Sequence, residues 1–183
     1  MSVRARSGSA MKTLLTARLS LRPFTEDDAD FILVLLNDPD WLRYIGDKQV
    51  RTRADARRYL REGPIAMVAR HGHGLACVER ASDGQALGMC GLIRRDTLDD
   101  VDLGFAFLPD ARGQGYAREA AAASLAFGFD MLGLRRIVAI TDPANEASAR
   151  VLKAAGLRFE RTLPATSNKA ALNLYAVQTP SRA

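Results

Sequence analysis

At 183 residues and 48% hydrophobic side chains, the chain is long enough for one α/β domain with a full core, and no linker-like stretch divides it. Its net charge of +5 comes from arginines scattered among acids, with no basic run interleaved with aromatics, which argues against a nucleic-acid binder and suits a phosphorylated cofactor. Two cysteines, Cys77 and Cys90, are too few for a disulfide framework, no signal peptide is evident and the apolar runs are too short or interrupted to span a bilayer, so a reducing cytoplasm is the expected compartment.

Met1 to Ala10 reads as a flexible leader or vector remnant, with Met11 as the natural start and residues 11–183 as a single domain. Arg18 to Pro23 alternates apolar and polar residues, predicting a first strand. Thr25, with Asp28 three residues on, caps a helix through Leu36, and Pro39 to Tyr44 reads as a short second helix. Thr52 and Asp55 repeat the capping pattern for a helix that should stop at Gly63. Leu75 to Arg80, Ala86 to Arg94 and Val101 to Leu108 follow as an antiparallel meander, turning first at Ser82-Asp83-Gly84.

Next come a long alanine-rich helix, Tyr116 to Leu132, ended by Gly133, and a β-branched strand, Arg136 to Thr141. Strand, helix and strand in this order make one parallel crossover. A helix from Asn145 to Ala155 and strands at Leu157 to Arg161 and Leu172 to Gln178 complete an α+β order with a mainly antiparallel sheet.

Arg112-Gly113-Gln114-Gly115-Tyr116-Ala117 joins the third meander strand to the alanine-rich helix. Small residues at 113, 115 and 117 let the backbone approach a ligand, and the unpartnered N–H groups of the first helical turn favour an anion there. A Walker loop would need Lys-Ser or Lys-Thr after its last glycine, and a dinucleotide fingerprint would need Gly or Ala at Arg118. A plain glycine-rich connection is the remaining alternative.

The spacing Arg-x-x-Gly-x-Ala, followed by Arg118-Glu119-Ala120, resembles the acyl-CoA-binding loop of the GNAT N-acyltransferase superfamily. Asn145, Ser148, Val151, Leu152 and Ala155-Gly156-Leu157 resemble a second motif of that family, flanking the pantetheine arm. Thr16 to Phe24 and Leu36-Asn37-Asp38-Pro39 are similar to the branch containing the ribosomal-protein N-terminal acetyltransferases. The resemblance implies acetyl-CoA as cosubstrate, direct transfer to a primary amine (a protein N-terminus or a small molecule), and a family in which homodimers are common. Cosubstrate contacts would fall to Phe107, Leu108, Arg112, Gly113, Gln114, Gly115, Tyr116, Ala117, Asn145 and Ser148.

An alkyl ammonium must lose a proton before it attacks a thioester, and related enzymes often carry a carboxylate at the position of Asp102. An exposed strand-face aspartate without a task is the alternative, and Asp99 and Asp100 are further candidates. A backbone N–H around Phe107 or Leu108 is placed to stabilise the tetrahedral oxyanion. Where many relatives carry a tyrosine acid this chain has Leu152, which leaves Ser148 or an unprotonated thiolate; a helical serine bonded to its own backbone is the bland reading.

The resemblance sets Trp41 and Tyr44 near the acceptor opening, with core packing as the default. His71 and His73 lack the further ligands of a metal site and read as a flexible connection, and an acyl-cysteine route through Cys77 or Cys90 finds no paired histidine and acid. A non-catalytic acyl-CoA sensor is the second functional class these residues allow.

Overall fold

The computed structural model describes residues 11–179, so the proposed leader lies outside the described residues. The chain opens with β1 (Leu14–Leu15), β2 (Leu19–Pro23), α1 (Ala29–Leu36), α2 (Pro39–Tyr44), α3 (Arg53–Leu60) and α4 (Ala66–His71). It continues with β3 (Leu75–Arg80), β4 (Ala86–Ile93), β5 (Asp102–Phe107), α5 (Tyr116–Ala126), β6 (Arg136–Thr141), α6 (Glu146–Ala154), β7 (Arg158–Leu163) and β8 (Leu172–Gln178).

All eight strands form one sheet in the order β1-β2-β3-β4-β5-β6-β8-β7. Only β5 and β6 run parallel, joined by the α5 crossover. Successive residues of β3 alternate between two cores. Ala76 and Val78 face the side covered by α5 and α6. Cys77 faces the side covered by α1, α2 and α3.

Both predicted capping boxes are present, at Thr25 with Asp28 and at Thr52 with Asp55. The expected stop at Gly63 is not. The chain widens into a π turn over Arg61–Ile65 and runs on into α4. Pro64 cannot donate and would clash with a carbonyl one turn back, and the wider turn accommodates it without ending the helix. The stop falls instead at Gly72, whose φ of +75° a residue with a side chain rarely adopts.

His71 and His73 are no flexible connection: His71 ends α4, while His73 is buried and its Nδ1 donates to the Leu92 carbonyl at 2.8 Å. The strand expected at Leu157 to Arg161 is shifted to Arg158–Leu163, Leu157 being fully buried just ahead of it.

β5 is paired with β4 at six positions, from Asp102 opposite Ile93 to Phe107 opposite Gly88. β6 is likewise paired with β8 at six positions. Toward each other the two parallel strands align only at Asp102 and Val138, where the Val138 N–H donates to the Val101 carbonyl at 3.0 Å. Past that point they part, and the sheet opens into a wedge.

Candidate active site

The wedge is part of a cleft of about 1660 Å³ bounded by α2, β5, the loop after β5, the start of α6 and the β7–β8 connection. Trp41, Tyr44, Asp102, Phe107, Arg112, Gly113, Gly115, Tyr116, Ala117, Asn145 and Ser148 all line it. Leu108 and Gln114 do not. They line a small separate recess with Arg80 and Gln85.

Strand pairing decides which backbone groups face the wedge. The Leu108 N–H donates to the Leu87 carbonyl at 2.9 Å, so the donor anticipated at Leu108 is already spent on β4. Antiparallel alternation then turns the N–H and C=O of Phe107 the other way, into the gap. Its carbonyl accepts from Arg112 Nε at 3.0 Å, leaving the Phe107 N–H as the donor that faces the wedge.

At the mouth of the wedge, Gly113 and Gly115 have φ of +74° and +82°, the conformations for which glycine is needed. The first amide of α5 with an acceptor is that of Glu119, which donates to the Gly115 carbonyl at 3.1 Å. The amides of Gly115, Tyr116, Ala117 and Arg118 have no backbone acceptor among the described residues. Four consecutive N–H groups at a helix start form a nest for an anion.

The Arg112 guanidinium, expected to contact the ligand, is engaged elsewhere. It donates to Asp38 and Asp40 at 2.6 Å each, tying the cradle to the start of α2. Arg118 also lines the cleft and has no carboxylate within ion-pair distance among the described residues.

Asp102 is only 1% exposed, so it is not a solvent-facing strand aspartate. Arg95 Nε donates to both its oxygens, at 2.9 and 3.1 Å. Burial pushes the carboxyl above the ordinary aspartate value, and Arg95 only partly offsets that. A carboxylate so placed is a stronger base near neutral pH than a solvated one.

Asn145, which lines the cleft, caps α6, its Oδ1 accepting from the Ser148 N–H at 3.0 Å. The Ser148 hydroxyl makes no hydrogen bond to its own helix. Leu152 is a core side chain, 1% exposed. Trp41 is mostly core, with its indole N–H donating to the Gly46 carbonyl at 3.1 Å, while Tyr44 lies beside the Arg43 guanidinium, 4.9 Å from ring centroid. Cys77 and Cys90 are buried in opposite cores, and burial pushes each thiol up to about 12, which keeps it protonated. Among the described residues no group of three or more His, Cys, Asp or Glu is arranged to hold a metal.

Sequence reasoning missed Arg95 and Arg18. Arg95 sits in the β4–β5 connection with no motif around it. Arg18 touches the cradle across 96 positions of sequence, a contact that no local pattern announces.

A mixed sheet that opens between its parallel strands, with an amide-lined nest at the mouth, is the architecture of an acyl-group transferase. Residues 18–158 match the model of the acetyltransferase (GNAT) domain, and the chain belongs to that family. The Bacillus subtilis protein YkkB is 31% identical over 162 residues, covering 85% of this chain and 90% of YkkB. A GNAT-family acetyltransferase from Bacillus anthracis superposes with a TM-score of 0.77 at 25% identity, covering 91% of this chain and 98% of that one. The ribosomal L7/L12 alpha-N-protein acetyltransferase RimL, solved in complex with coenzyme A, shares the fold with a TM-score of 0.78 at 18% identity, covering 91% of this chain and 98% of that one.

Proposed function

We propose that this protein transfers an acetyl group from acetyl-CoA directly to the primary amine of an acceptor, either a protein N-terminus or a small molecule. The observation that carries the reading is the conjunction of the wedge with the nest: one offers unpaired strand edges to an amide-bearing arm, the other four amides to a diphosphate. That RimL, with the same fold, was solved with coenzyme A supports this choice of cosubstrate.

The amides of Gly115 to Arg118 hold the diphosphate, and the wedge face of β5 with Asn145 aligns the pantetheine amides. Phe107 N–H is the backbone donor for the oxyanion that forms when the amine nitrogen attacks the thioester carbonyl. Asp102, directly or through a water, takes the proton the ammonium must lose. As the C–S bond breaks, the sulfur departs with the bonding pair, and Ser148, the one hydroxyl of α6, gives it a proton while taking in return the proton that the acylated nitrogen sheds.

Calorimetric titration with acetyl-CoA tests the first half. One-to-one binding is expected, and Gly115→Trp should abolish it, because a bulky side chain and a φ of +82° are incompatible. Free-thiol release across a panel of amines tests the second half. Binding without turnover of any amine would favour the sensor reading, and absence of binding would sink both.

A further inference from the structure

Arg18 precedes β2, yet its guanidinium lies against the back of the cradle. Nη1 donates to the Gln114 carbonyl at 2.9 Å, and Nε donates to Glu119 Oε2 at 2.7 Å. The Arg18 N–H and the Thr16 hydroxyl donate to Glu119 Oε1 at 2.9 and 2.7 Å, and the guanidinium stands 4.6 Å from the centroid of the Tyr116 ring. A Cβ built on Gly115 would lie 3.3 Å from Arg18 Nη2, so the guanidinium covers one side of the Gln114–Gly115 peptide closely.

The described chain has no cis peptide, and in a trans peptide the C=O and N–H point in opposite directions. Holding the Gln114 carbonyl on Arg18 therefore fixes the Gly115 N–H on the side away from Arg18, and Gly115 lines the cleft whereas Arg18 does not. The peptide plane turns about ψ of Gln114 and φ of Gly115, and the conformational freedom of the glycine makes a flip inexpensive. A flipped peptide would turn a carbonyl oxygen, rather than an N–H, toward the anion.

We infer that Arg18 is a positioning residue for the cosubstrate: it locks the Gln114–Gly115 peptide so that the Gly115 N–H faces the diphosphate. This rests on the acetyltransferase reading above. Glu119 completes the device by fixing the guanidinium from α5, so a residue at the start of the domain sets the shape of a loop far along the chain.

The test compares acetyl-CoA with S-acetylpantetheine, which has the same acetyl thioester arm but no diphosphate, binding to wild type, Arg18→Lys, Arg18→Ala and Glu119→Gln. Lysine keeps the charge but offers one nitrogen in place of the fixed Nε and Nη1 prongs that meet Glu119 and Gln114. Arg18→Lys and Arg18→Ala should each weaken acetyl-CoA by about tenfold, the loss of one oriented hydrogen bond to a charged group, and leave S-acetylpantetheine unchanged. Glu119→Gln, which keeps the side-chain shape, should show the same selective loss to a smaller degree, and it covers the case in which the Arg18 variants fold poorly.

Wild-type affinity in Arg18→Lys would overturn the inference, as would equal weakening of both ligands or an unaffected Glu119→Gln. Failure of wild type to bind acetyl-CoA would instead overturn the acetyltransferase reading, and this inference with it.

Discussion

Asp102 and Arg95 pull the same carboxyl in opposite directions. Burial raises its pKa and Arg95 lowers it, with burial the larger effect. Because the folded-state pKa lies above the unfolded one, the folded protein holds the extra proton between the two values. Stability from this group is therefore lost as pH rises through that window, and the ionised form is a cost at pH 7. Asp102→Asn removes that cost, so its Tm at pH 7 should equal or exceed that of wild type. Its turnover should fall by about 10²–10⁴-fold if the carboxylate is the base. In wild type, kcat/KM should rise with pH as Asp102 ionises, and Arg95→Met, lacking the guanidinium that lowers the pKa, should move that limb to higher pH. A limb that stays in place would assign the titration to another group.

At the scale of elements, two carboxylates hold α2 to the cradle, and one of them has two tasks. Asp38 Oδ2 accepts from the amides of Asp40 and Trp41 at 3.2 and 3.3 Å, capping α2, and also receives Arg112 at 2.6 Å. Asp38→Ala should cost about 1 kcal/mol for the cap alone. It also leaves Arg112 held to α2 only through Asp40, so backbone amides across 39–46 should exchange faster by hydrogen-exchange mass spectrometry while β4 stays protected. Unchanged exchange there would mean that core packing of Trp41 holds α2 without Asp38.

Elements whose causes are local were legible in the sequence. Alternation marked β2, the Ser82-Asp83-Gly84 turn marked the hairpin of β3 and β4, Thr25–Asp28 and Thr52–Asp55 carried their own caps, and glycines at 133 and 156 stand at positive φ where helices end. Two-residue β1 was missed because alternation has no meaning over so short a span. The site was legible as a set of positions but not as a set of directions. The sequence marks a strand-like run over Val101 to Leu108, yet only the β4 register shows that Leu108 turns its amide away from the wedge and Phe107 toward it. Likewise the glycines identified the cradle, while the engagement of Arg112 with Asp38 depends on a contact 74 positions apart.

Across the whole molecule, the wedge exists because each parallel strand is anchored on its outer edge, β5 by β4 and β6 by β8. The open state is thus the folded state, and its unpaired backbone groups face the cleft rather than a dry core. A ligand that inserts there needs no rearrangement of the sheet, and since the nest and the wedge are products of folding, it binds the native chain alone. Mass action then requires stabilisation of about 2.7 kcal/mol at a ligand concentration one hundred times Kd. For a domain of this size that is a rise in Tm of roughly 5–10 °C. Free CoA should give a comparable rise, because in the proposed binding mode the amides of Gly115 to Arg118 and the edge of β5 meet parts common to both ligands. Gly115→Trp should show no rise with either. An undiminished rise in that variant would mean that the ligand binds away from the wedge, and a rise with acetyl-CoA but not CoA would shift the binding energy from the nest to the acetyl group.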